Sequence, residues 1–168
     1  HAEFIDVSRT TIENIINNLD NNIIAVGTTS LRTIESLYWL GVKKFGVRSS
    51  KFEVEPDRSL SLSQWEAYEF PNENISSKDA LLALLEWMDK NKLQQLLAKT
   101  QILIAPGYEF KIIKGLITNF HQPQSTLLLL VAALIGDDWR KVYDYALQND
   151  FRFLSYGDGS LLWSPSLR

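Results

Sequence analysis

The order of apolar and polar residues predicts strands that alternate with helices in the first part of the chain. Residues 2–7 alternate like a strand with one buried face. Thr10 stands three residues before Glu13, the spacing of a capping box, so we expect a helix to start at Thr10. The short, unbroken apolar run 23–26 is typical of a strand covered on both faces in a parallel sheet. A second helix begins at Ser30, and we expect Gly41 to end it.

The rest of the chain shows the same alternation around one irregular region. Five further runs are predicted as strands: residues 45–47, 66–70, 102–105, 110–113 and 116–120. Three segments are predicted as helices: one capped by Ser76 or Ser77 that continues through Leu97, residues 127–135 between Ser125 and Gly136, and one opened by Asp137 and Asp138. Residues 49–63 are polar and contain Pro56, so we expect a loop there. The pattern predicts an α/β fold: a single three-layer domain over residues 1–168, with a mostly parallel sheet flanked by helices.

Composition narrows the classes of function that this domain can serve. The 168 residues have a net charge of -3 and no cysteine, which excludes a disulfide scaffold, a cysteine-ligated metal site and a thiol nucleophile within them. The longest apolar run, residues 127–135, is shorter than the roughly 20 residues that cross a bilayer, so we expect a soluble, cytoplasmic protein without a membrane partner. The only methionine is Met88, so we expect the chain to be part of a longer protein.

One candidate binding site is the turn Gly27-Thr28-Thr29-Ser30, which lies between a predicted strand and a helix. The N-terminus of a helix offers unpaired N–H groups, and neighbouring hydroxyls add donors for a carboxylate, a phosphate or ribose oxygens. Open α/β sheets bind ligands at the carboxyl ends of their strands, where this turn lies. The alternative is that Thr29 or Ser30 only caps its own helix, since the spacing matches neither the dinucleotide nor the Walker motif.

A second candidate is the polar segment between residues 116 and 126, which joins a predicted strand to the most apolar helix. Asn119, His121 and Ser125 could meet one substrate there. His121 titrates near neutral pH, so it could act as an acid, a base or a neutral donor. The alternative is a histidine with a purely structural hydrogen bond. The chain has only one other histidine, His1, so a metal site is not expected.

A third candidate is the C-terminal aromatic segment that carries Arg152, Tyr156 and Asp158. Arg152 could hold a carboxylate or phosphate by two parallel hydrogen bonds, Tyr156 could stack on a base, and Asp158 could accept from amino or hydroxyl groups. The alternative is an aromatic strand followed by an Asp-Gly turn. His1 and Glu3 form a fourth pair, because alternate residues of a strand share a face and both could enter one site.

Several blocks of the chain match a known pattern in the correct order. They are His1-Ala2-Glu3, residues 25–30 with 32–36, Pro106-Gly107-Tyr108 with Phe110, residues 117–121 with Pro123 and residues 125–128, and Arg152-Phe153 with residues 155–158. In this order the blocks resemble the signature of the S-adenosylmethionine:tRNA ribosyltransferase-isomerase family of queuosine biosynthesis. The resemblance covers nearly the whole chain but only the C-terminal part of the family, whose N-terminal part, with its β-barrel, is absent from these residues.

The resemblance implies a transferase and isomerase that acts on tRNA carrying 7-aminomethyl-7-deazaguanine. The ribosyl part of S-adenosylmethionine moves to the aminomethyl group and is rearranged, which gives epoxyqueuosine in the tRNA and releases adenine and methionine. S-adenosylmethionine is then a substrate, no metal or other cofactor is implied, and we expect a monomer. Because the N-terminal part of the family should complete the site, we expect the chain alone to be inactive.

The resemblance also suggests roles for residues of this chain. His121 and Glu3 are candidates for proton transfer. The remaining candidates would bind substrate: Gly27, Thr28, Thr29, Ser30, Arg32, Asn119, Arg152, Tyr156 and Asp158. Two positions depart from the family pattern, because Lys114 stands where an acidic residue is usual and Gln124 stands where a basic one is usual. Two other functions therefore stay open: another nucleotide- or S-adenosylmethionine-dependent transferase, and a non-catalytic binding module.

Overall fold

The computed structural model describes residues 2–47, 60–70 and 74–165 of the chain. Its helices and strands are β1 (Glu3–Ser8), α1 (Arg9–Asn17), β2 (Ile24–Val26), α2 (Thr28–Val47), β3 (Leu60–Leu62), α3 (Glu66–Glu69), α4 (Ser77–Lys90), β4 (Gln95–Thr100), β5 (Gly115–Asn119), α5 (Thr126–Ile135), α6 (Asp138–Gln148) and β6 (Gly159–Trp163), with a short 3-10 turn at Leu154–Tyr156. The α/β class is confirmed. His1 and most of the predicted loop over residues 49–63 lie outside the described residues.

The chain divides into two compact units, each built on a three-stranded sheet. The first unit, residues 1–21 and 33–102, contains the sheet β1-β4-β3, and the second, residues 22–32 and 103–168, contains the sheet β2-β5-β6. Pairs β3–β4 and β2–β5 are parallel, whereas pairs β1–β4 and β5–β6 are antiparallel. The expectation of a mostly parallel sheet is therefore wrong, because apolar runs do not fix strand direction. Strand β4 alternates exposed and buried residues, the pattern of a sheet with one solvated face.

Helices α1 and α4 contact each other, and their apolar side chains fill the core of the first unit. Ser76 caps α4 as predicted, since its Oγ accepts the N–H of Asp79 at 3.0 Å. Helix α1 is capped by Ser8, whose Oγ accepts the N–H of Thr11 at 3.1 Å. The prediction that Thr10 caps this helix is wrong, because the capping residue lies two positions earlier, at the end of β1.

Helix α2 is longer at both ends than the sequence pattern predicts. Gly41 does not end it, because glycine is needed there for packing: a Cβ at this position would lie 2.1 Å from the carbonyl oxygen of Ala80 in α4. Residues 45–47, predicted as a strand, are consequently the last turn of α2. Helix α4, in contrast, ends before Leu97, because Lys92 adopts a left-handed φ of 55° and Leu97 lies in β4.

Three other predicted strands have a different local structure. Residues 66–70 contain the short helix α3, where the carboxylate of Glu66 accepts the N–H of Ser63 at 2.8 Å. Residues 102–105 and 110–113 are not in regular strands, although isoleucines in both segments are buried. Apolar runs therefore predicted burial correctly here, but they did not distinguish strands from irregular buried segments.

The second sheet has one covered face and one open face. Leu116 and Leu162 are buried on the covered face, where β6 contacts α5. On the other face Val26, Ile117 and Leu161 pair side by side across the three strands and are 67%, 42% and 52% exposed. The prediction that the apolar run ending at Val26 is covered on both faces is therefore wrong.

The helices of the second unit begin and end near the predicted residues. Ser125 caps α5, because its Oγ accepts the N–H of Leu128 at 3.2 Å, and Gly136 ends it with a φ of 61°. Tyr143 is buried on α6, where its ring contacts the rings of Phe120 and Phe153 at centroid distances of 5.5 and 5.9 Å. This aromatic packing fixes α6 against the segment that follows β5.

Candidate active site

Three of the predicted segments meet at one edge of the second sheet. Strands β2 and β5 are parallel with Val26 opposite Ile117, so the residues that follow both strands lie at the same carboxyl edge. The Gly27 N–H donates to the Ile117 carbonyl at 2.8 Å. Strand β6 is antiparallel, with Gly159 opposite Asn119, so the segment before β6 ends at this edge as well. The three segments are residues 27–30, 119–126 and 151–158.

The turn after β2 forms the start of helix α2. The Gly27 carbonyl accepts the first helical hydrogen bond, from the N–H of Leu31 at 3.2 Å, so Gly27 itself occupies the capping position. Its φ of 87° lies in the left-handed region, which explains why a glycine stands here. Steric crowding is not the reason, because a Cβ at this position would meet no atom within 4 Å. Within the described part of the chain the hydroxyls of Thr28, Thr29 and Ser30 make no hydrogen bond, and Thr29 and Ser30 are exposed. The alternative in which Thr29 or Ser30 caps the helix is therefore wrong.

His121 lies two residues after β5 and is held by two hydrogen bonds. Its Nε2 lies 2.9 Å from Oγ1 of Thr118, and its backbone N–H donates to the hydroxyl of Tyr143 at 3.0 Å. His121 is only 9% exposed, and this burial lowers the pKa of its imidazole below the usual range. The ring is consequently neutral at pH 7, so one of its nitrogens can donate a hydrogen bond and the other can accept one.

Asn119 ties the segment before β6 to the end of β5. Its Nδ2 donates to the carbonyl of Leu154 at 2.6 Å, and the Leu154 N–H donates to the carbonyl of Phe120 at 2.8 Å. Leu154 adopts a left-handed φ of 64°, which a branched side chain rarely does. The two hydrogen bonds hold this backbone in place, so Asn119 has a structural role that the sequence did not indicate.

Arg152 and Asp158 bind each other across the same segment. The guanidinium donates from Nε and Nη2 to both carboxylate oxygens, at 3.1 and 3.0 Å. These side-chain hydrogen bonds lower the pKa of Asp158 and raise the pKa of Arg152. Tyr156 lies between the two partners in the chain and is 69% exposed, so its ring is available to an outside molecule.

Two predicted site residues, Arg32 and Glu3, lie outside the three segments. Arg32 is half-buried, one turn into α2 from Gly27, and it makes further contacts within the protein. Glu3 belongs to the first unit, where it pairs with Thr100 across β1 and β4, and not to the second sheet. The structure therefore places Glu3 in the first unit and the other ten predicted residues in the second: Gly27, Thr28, Thr29, Ser30, Arg32, Asn119, His121, Arg152, Tyr156 and Asp158.

Sequence reasoning missed two residues that hold His121. Thr118 is buried on the covered face of β5, two residues from Leu116, and alternation along the strand was the signal that could have placed it inward. Tyr143 lies buried on α6, where packing is the usual role of an aromatic side chain. Nothing in the sequence predicts that its hydroxyl accepts from the N–H of His121, because the two residues are 22 positions apart.

The first unit contains a buried polar cluster that sequence reasoning also missed. Glu35, Ser36 and Thr100 are fully buried, and the hydroxyls of Ser36 and Thr100 share a hydrogen bond of 2.7 Å. The available signal was helical spacing, because Glu35 lies four residues after the buried Leu31 and so falls on the apolar face of α2. The oxygen Oγ1 of Thr100 also accepts the N–H of Ile102 at 3.2 Å.

The two departures from the family pattern lie at different ends of β5. Lys114 precedes β5, and so lies at the edge opposite to His121, where it lines a cavity of about 470 Å³. Gln124 lies between His121 and Ser125 with a left-handed φ of 64°. Only the change at Gln124 therefore alters the polar segment of the candidate site.

The site edge offers hydrogen-bond donors of several kinds. The first turn of α2 supplies unpaired backbone N–H groups and hydroxyls, and the two other segments supply a neutral imidazole and a guanidinium. Such a set suits a ligand with carboxylate and sugar oxygens, and the exposed ring of Tyr156 suits a planar base. Among the described residues, no group of three or more His, Asp or Glu side chains is placed to hold a metal ion. None of the described helices is long and apolar enough to span a bilayer.

The chain belongs to the queuosine biosynthesis protein family, which it matches over residues 1–162. It is 32% identical to the S-adenosylmethionine:tRNA ribosyltransferase-isomerase of Prochlorococcus marinus (strain MIT 9301) over 170 residues, or 99% of this chain and 33% of that protein. Over a shorter stretch of 65 residues, 38% of this chain and 19% of the relative, it is 55% identical to the protein of the same name from Cereibacter sphaeroides (strain KD131 / KCTC 12085).

A solved structure has the same fold over most of the chain. The crystal structure of the S-adenosylmethionine tRNA ribosyltransferase from Thermotoga maritima matches with a TM-score of 0.58 and 28% identity, over 94% of this chain and 40% of that chain. The family resemblance found in the sequence is therefore confirmed. The chain spans about a third of the length of the Prochlorococcus relatives it matches over nearly its whole length.

Proposed function

We propose that this chain is the S-adenosylmethionine-binding part of an S-adenosylmethionine:tRNA ribosyltransferase-isomerase. The enzyme would transfer the ribosyl moiety of S-adenosylmethionine to 7-aminomethyl-7-deazaguanine in tRNA and isomerise it, giving epoxyqueuosine-tRNA, adenine and methionine. The observation that carries this proposal is the meeting of residues 27–30, 119–126 and 151–158 at one sheet edge, in a chain of the queuosine biosynthesis family.

The turn after β2 would bind the polar oxygens of S-adenosylmethionine. Backbone N–H groups of Thr28, Thr29 and Ser30 favour a negative charge, as at any helix N-terminus, and the two exposed hydroxyls can bind sugar oxygens. Arg32 would add a positive charge one turn further along α2. S-adenosylmethionine is used here as a substrate, and the proposal needs neither a metal nor another cofactor.

The other two segments, residues 119–126 and 151–158, would hold the reacting groups and a nucleobase. His121 is the candidate for proton transfer in these segments, and Asn119, Arg152 and Asp158 would shape the substrate pocket. Glu3, the second candidate for proton transfer, lies in the first unit. Tyr156 would stack on a base, which is supported by its 69% exposure. Because tRNA is the proposed acceptor, we place the reaction in the cytoplasm, and because the edge uses residues of one chain, we expect a monomer.

The proposal is tested first by calorimetric titration of S-adenosylmethionine into the chain. Thr28→Ala and Arg152→Ala should each weaken binding roughly 10-fold, the value of one hydrogen bond to a charged group. Thr10→Ala changes an exposed threonine in the first turn of α1, and Arg140→Ala changes an exposed arginine of α6 that is paired with Asp137. Both control variants should bind like the wild type. If the folded chain binds no S-adenosylmethionine, the titration is repeated with the full-length protein that contains it, and absence of binding there as well would contradict the proposed site.

A second experiment tests the reaction itself. The matching region of the Prochlorococcus marinus relative is replaced by this chain, and tRNA nucleosides are analysed after incubation with S-adenosylmethionine. The proposal predicts epoxyqueuosine only in tRNA that carries the aminomethyl base. Equal use of unmodified tRNA would indicate a different transferase, and full activity of the His121→Ala variant would indicate a non-catalytic module.

A further inference from the structure

The hydrogen bond between Thr118 and His121 determines which nitrogen of the imidazole carries the proton. Oγ1 of Thr118 lies 2.9 Å from Nε2 of His121, and the two residues are 6% and 9% exposed. A hydroxyl can donate or accept, and so can a ring nitrogen, depending on the tautomer. The distance alone therefore allows two arrangements: either Nε2–H donates to the hydroxyl, or the hydroxyl donates to an unprotonated Nε2.

The burial of both partners separates these arrangements. Within the described residues neither side chain has another hydrogen bond. If Nε2–H were the donor, the hydroxyl hydrogen of Thr118 would be buried without an acceptor, and an unsatisfied buried donor is costly. If the hydroxyl is the donor, the same bond satisfies both the buried hydrogen and the Nε2 lone pair. A neutral ring then carries its proton on Nδ1.

The backbone of His121 is fixed independently of its ring. The N–H of His121 donates to the hydroxyl of Tyr143 at 3.0 Å, and the ring of Tyr143 packs against Phe120 and Trp139. Burial lowers the pKa of His121, which keeps the ring neutral at pH 7. With the main chain held by α6 and Nε2 held by Thr118, Nδ1 is the only ring nitrogen left for a ligand at the sheet edge.

We infer that Thr118 is a positioning residue that sets His121 in the Nδ1–H tautomer, so that His121 meets the substrate as a hydrogen-bond donor through Nδ1. The acceptor would be an oxygen or an unprotonated ring nitrogen of the substrate. This inference deepens the proposed function and rests on it for the use of His121. The tautomer itself can be measured without S-adenosylmethionine or tRNA.

The test is NMR of the chain labelled with 15N-histidine. His1 and His121 are the only two histidines, so a His1→Gln variant assigns both sets of signals. At pH 7.5 or thereabouts, Nε2 of His121 should resonate as an unprotonated nitrogen and Nδ1 as a protonated one. Thr118→Val keeps the shape of the side chain but removes its hydroxyl, and it should shift the imidazole of His121 towards the Nε2–H tautomer. Thr118→Ser should keep the wild-type signals.

Thr100→Val is the matched control for the hydroxyl removal. Thr100 is also a buried strand threonine whose hydroxyl is hydrogen-bonded to another side chain, but that side chain is Ser36 and not His121, so the loss of the Thr100 hydroxyl should leave the His121 signals unchanged. A protonated Nε2 in the wild type would overturn the inference, and so would an unchanged tautomer in folded Thr118→Val. If Thr118→Val does not fold, the wild-type and Thr118→Ser spectra decide alone. Failure of S-adenosylmethionine binding with the Nδ1–H tautomer present would refute the proposed function and leave the role of Thr118 standing.

Discussion

Asp158 accepts three hydrogen bonds from Arg152, one from its backbone N–H at 2.5 Å and two from its guanidinium at 3.1 and 3.0 Å. The pair closes the turn that carries Tyr156. Both charged residues were expected to bind substrate, yet each has the other as its partner within the protein. The pair therefore stabilises the conformation of this turn. If Arg152 also contacts a ligand, its side chain is already oriented by Asp158.

Acid should open this turn. Hydrogen bonds from Arg152 lower the pKa of Asp158, so the pairing is fully present above the pKa of a free aspartate, about 3.9, and is lost as the pH falls through the lower folded value. The NMR signal of the Arg152 amide should follow this loss, with a midpoint below that of a free aspartate. The Asp158→Asn variant should show no such transition, whereas Asp137→Asn, at the residue before α6, should keep it. A midpoint at or above the free value would contradict the prediction.

His121 should make the stability of the chain depend on pH. Burial lowers its folded pKa, while the unfolded ring titrates near 6.5, so the unfolded state binds more protons between the two values. The free energy of unfolding is therefore highest above about pH 6.5 and falls as the pH drops through the folded pKa. Urea denaturation at several pH values should show a smaller decrease for His121→Gln than for the wild type, and His1→Gln should behave like the wild type. Parallel curves for His121→Gln and the wild type would contradict this origin of the pH dependence.

Replacing Gly41 with alanine should destabilise the first unit, although alanine is the better helix former by about 1 kcal/mol. The new Cβ would lie 2.1 Å from the Ala80 carbonyl oxygen, so α2 and α4 would have to separate. We expect a net loss of about 1–3 kcal/mol in the free energy of unfolding, measured by urea denaturation. Asn14→Ala, at an exposed position of α1, should change stability by less than about 0.5 kcal/mol. If Gly41→Ala were more stable than the wild type, helix propensity would outweigh the clash with Ala80, which would contradict the prediction.

Removing the Tyr143 hydroxyl should loosen the segment that carries His121. Tyr143→Phe keeps the ring in its aromatic contacts but leaves the buried N–H of His121 without an acceptor, which costs about 1–3 kcal/mol of stability. The matched control is Tyr145→Phe, because Tyr145 lies on the same helix and is 61% exposed. Denaturation curves of the two variants should differ clearly, and the His121 amide should exchange faster in Tyr143→Phe only. Equal stability of both variants would contradict the role given to the hydroxyl.

Local signals in the sequence predicted the helices with polar caps best. Ser76 and Ser125 precede strongly apolar helical patterns, and both cap their helices as expected. The predictions are wrong where a contact with a residue distant in the sequence determines the local structure. Gly41 looks like a helix end, but α4 lies against its Cα and the helix continues. The apolar residues around Leu97 suit a helix as well as a strand, and pairing with β1 makes them a strand.

The candidate site was predictable as a set of segments but not as a network. Each polar segment follows or precedes an apolar strand, and the parallel pairing of β2 with β5 brings them together. The individual bonds join residues far apart in the sequence, such as Asn119 with Leu154 and His121 with Tyr143, and no local pattern specifies them. Thr118 lies within one of the blocks that resemble the family, but its role depends on burial on the covered face of the second sheet, which forms only in the folded chain.

The discontinuous second unit has a consequence for how the chain folds. Its first stretch, residues 22–32, is separated from its second, which begins at residue 103, by most of the first unit. Pairing Gly27 with Ile117 therefore closes a very long loop, a slow and non-local step. During synthesis from the N-terminus, every residue of the first unit emerges before β5 does, so that unit can fold while β2 still lacks its neighbour. The edge that would bind S-adenosylmethionine is thus expected to be the last part completed. A ribosome that stalls before residue 115 would carry a chain that has the turn after β2 but lacks β5 and β6, the two strands that complete this edge.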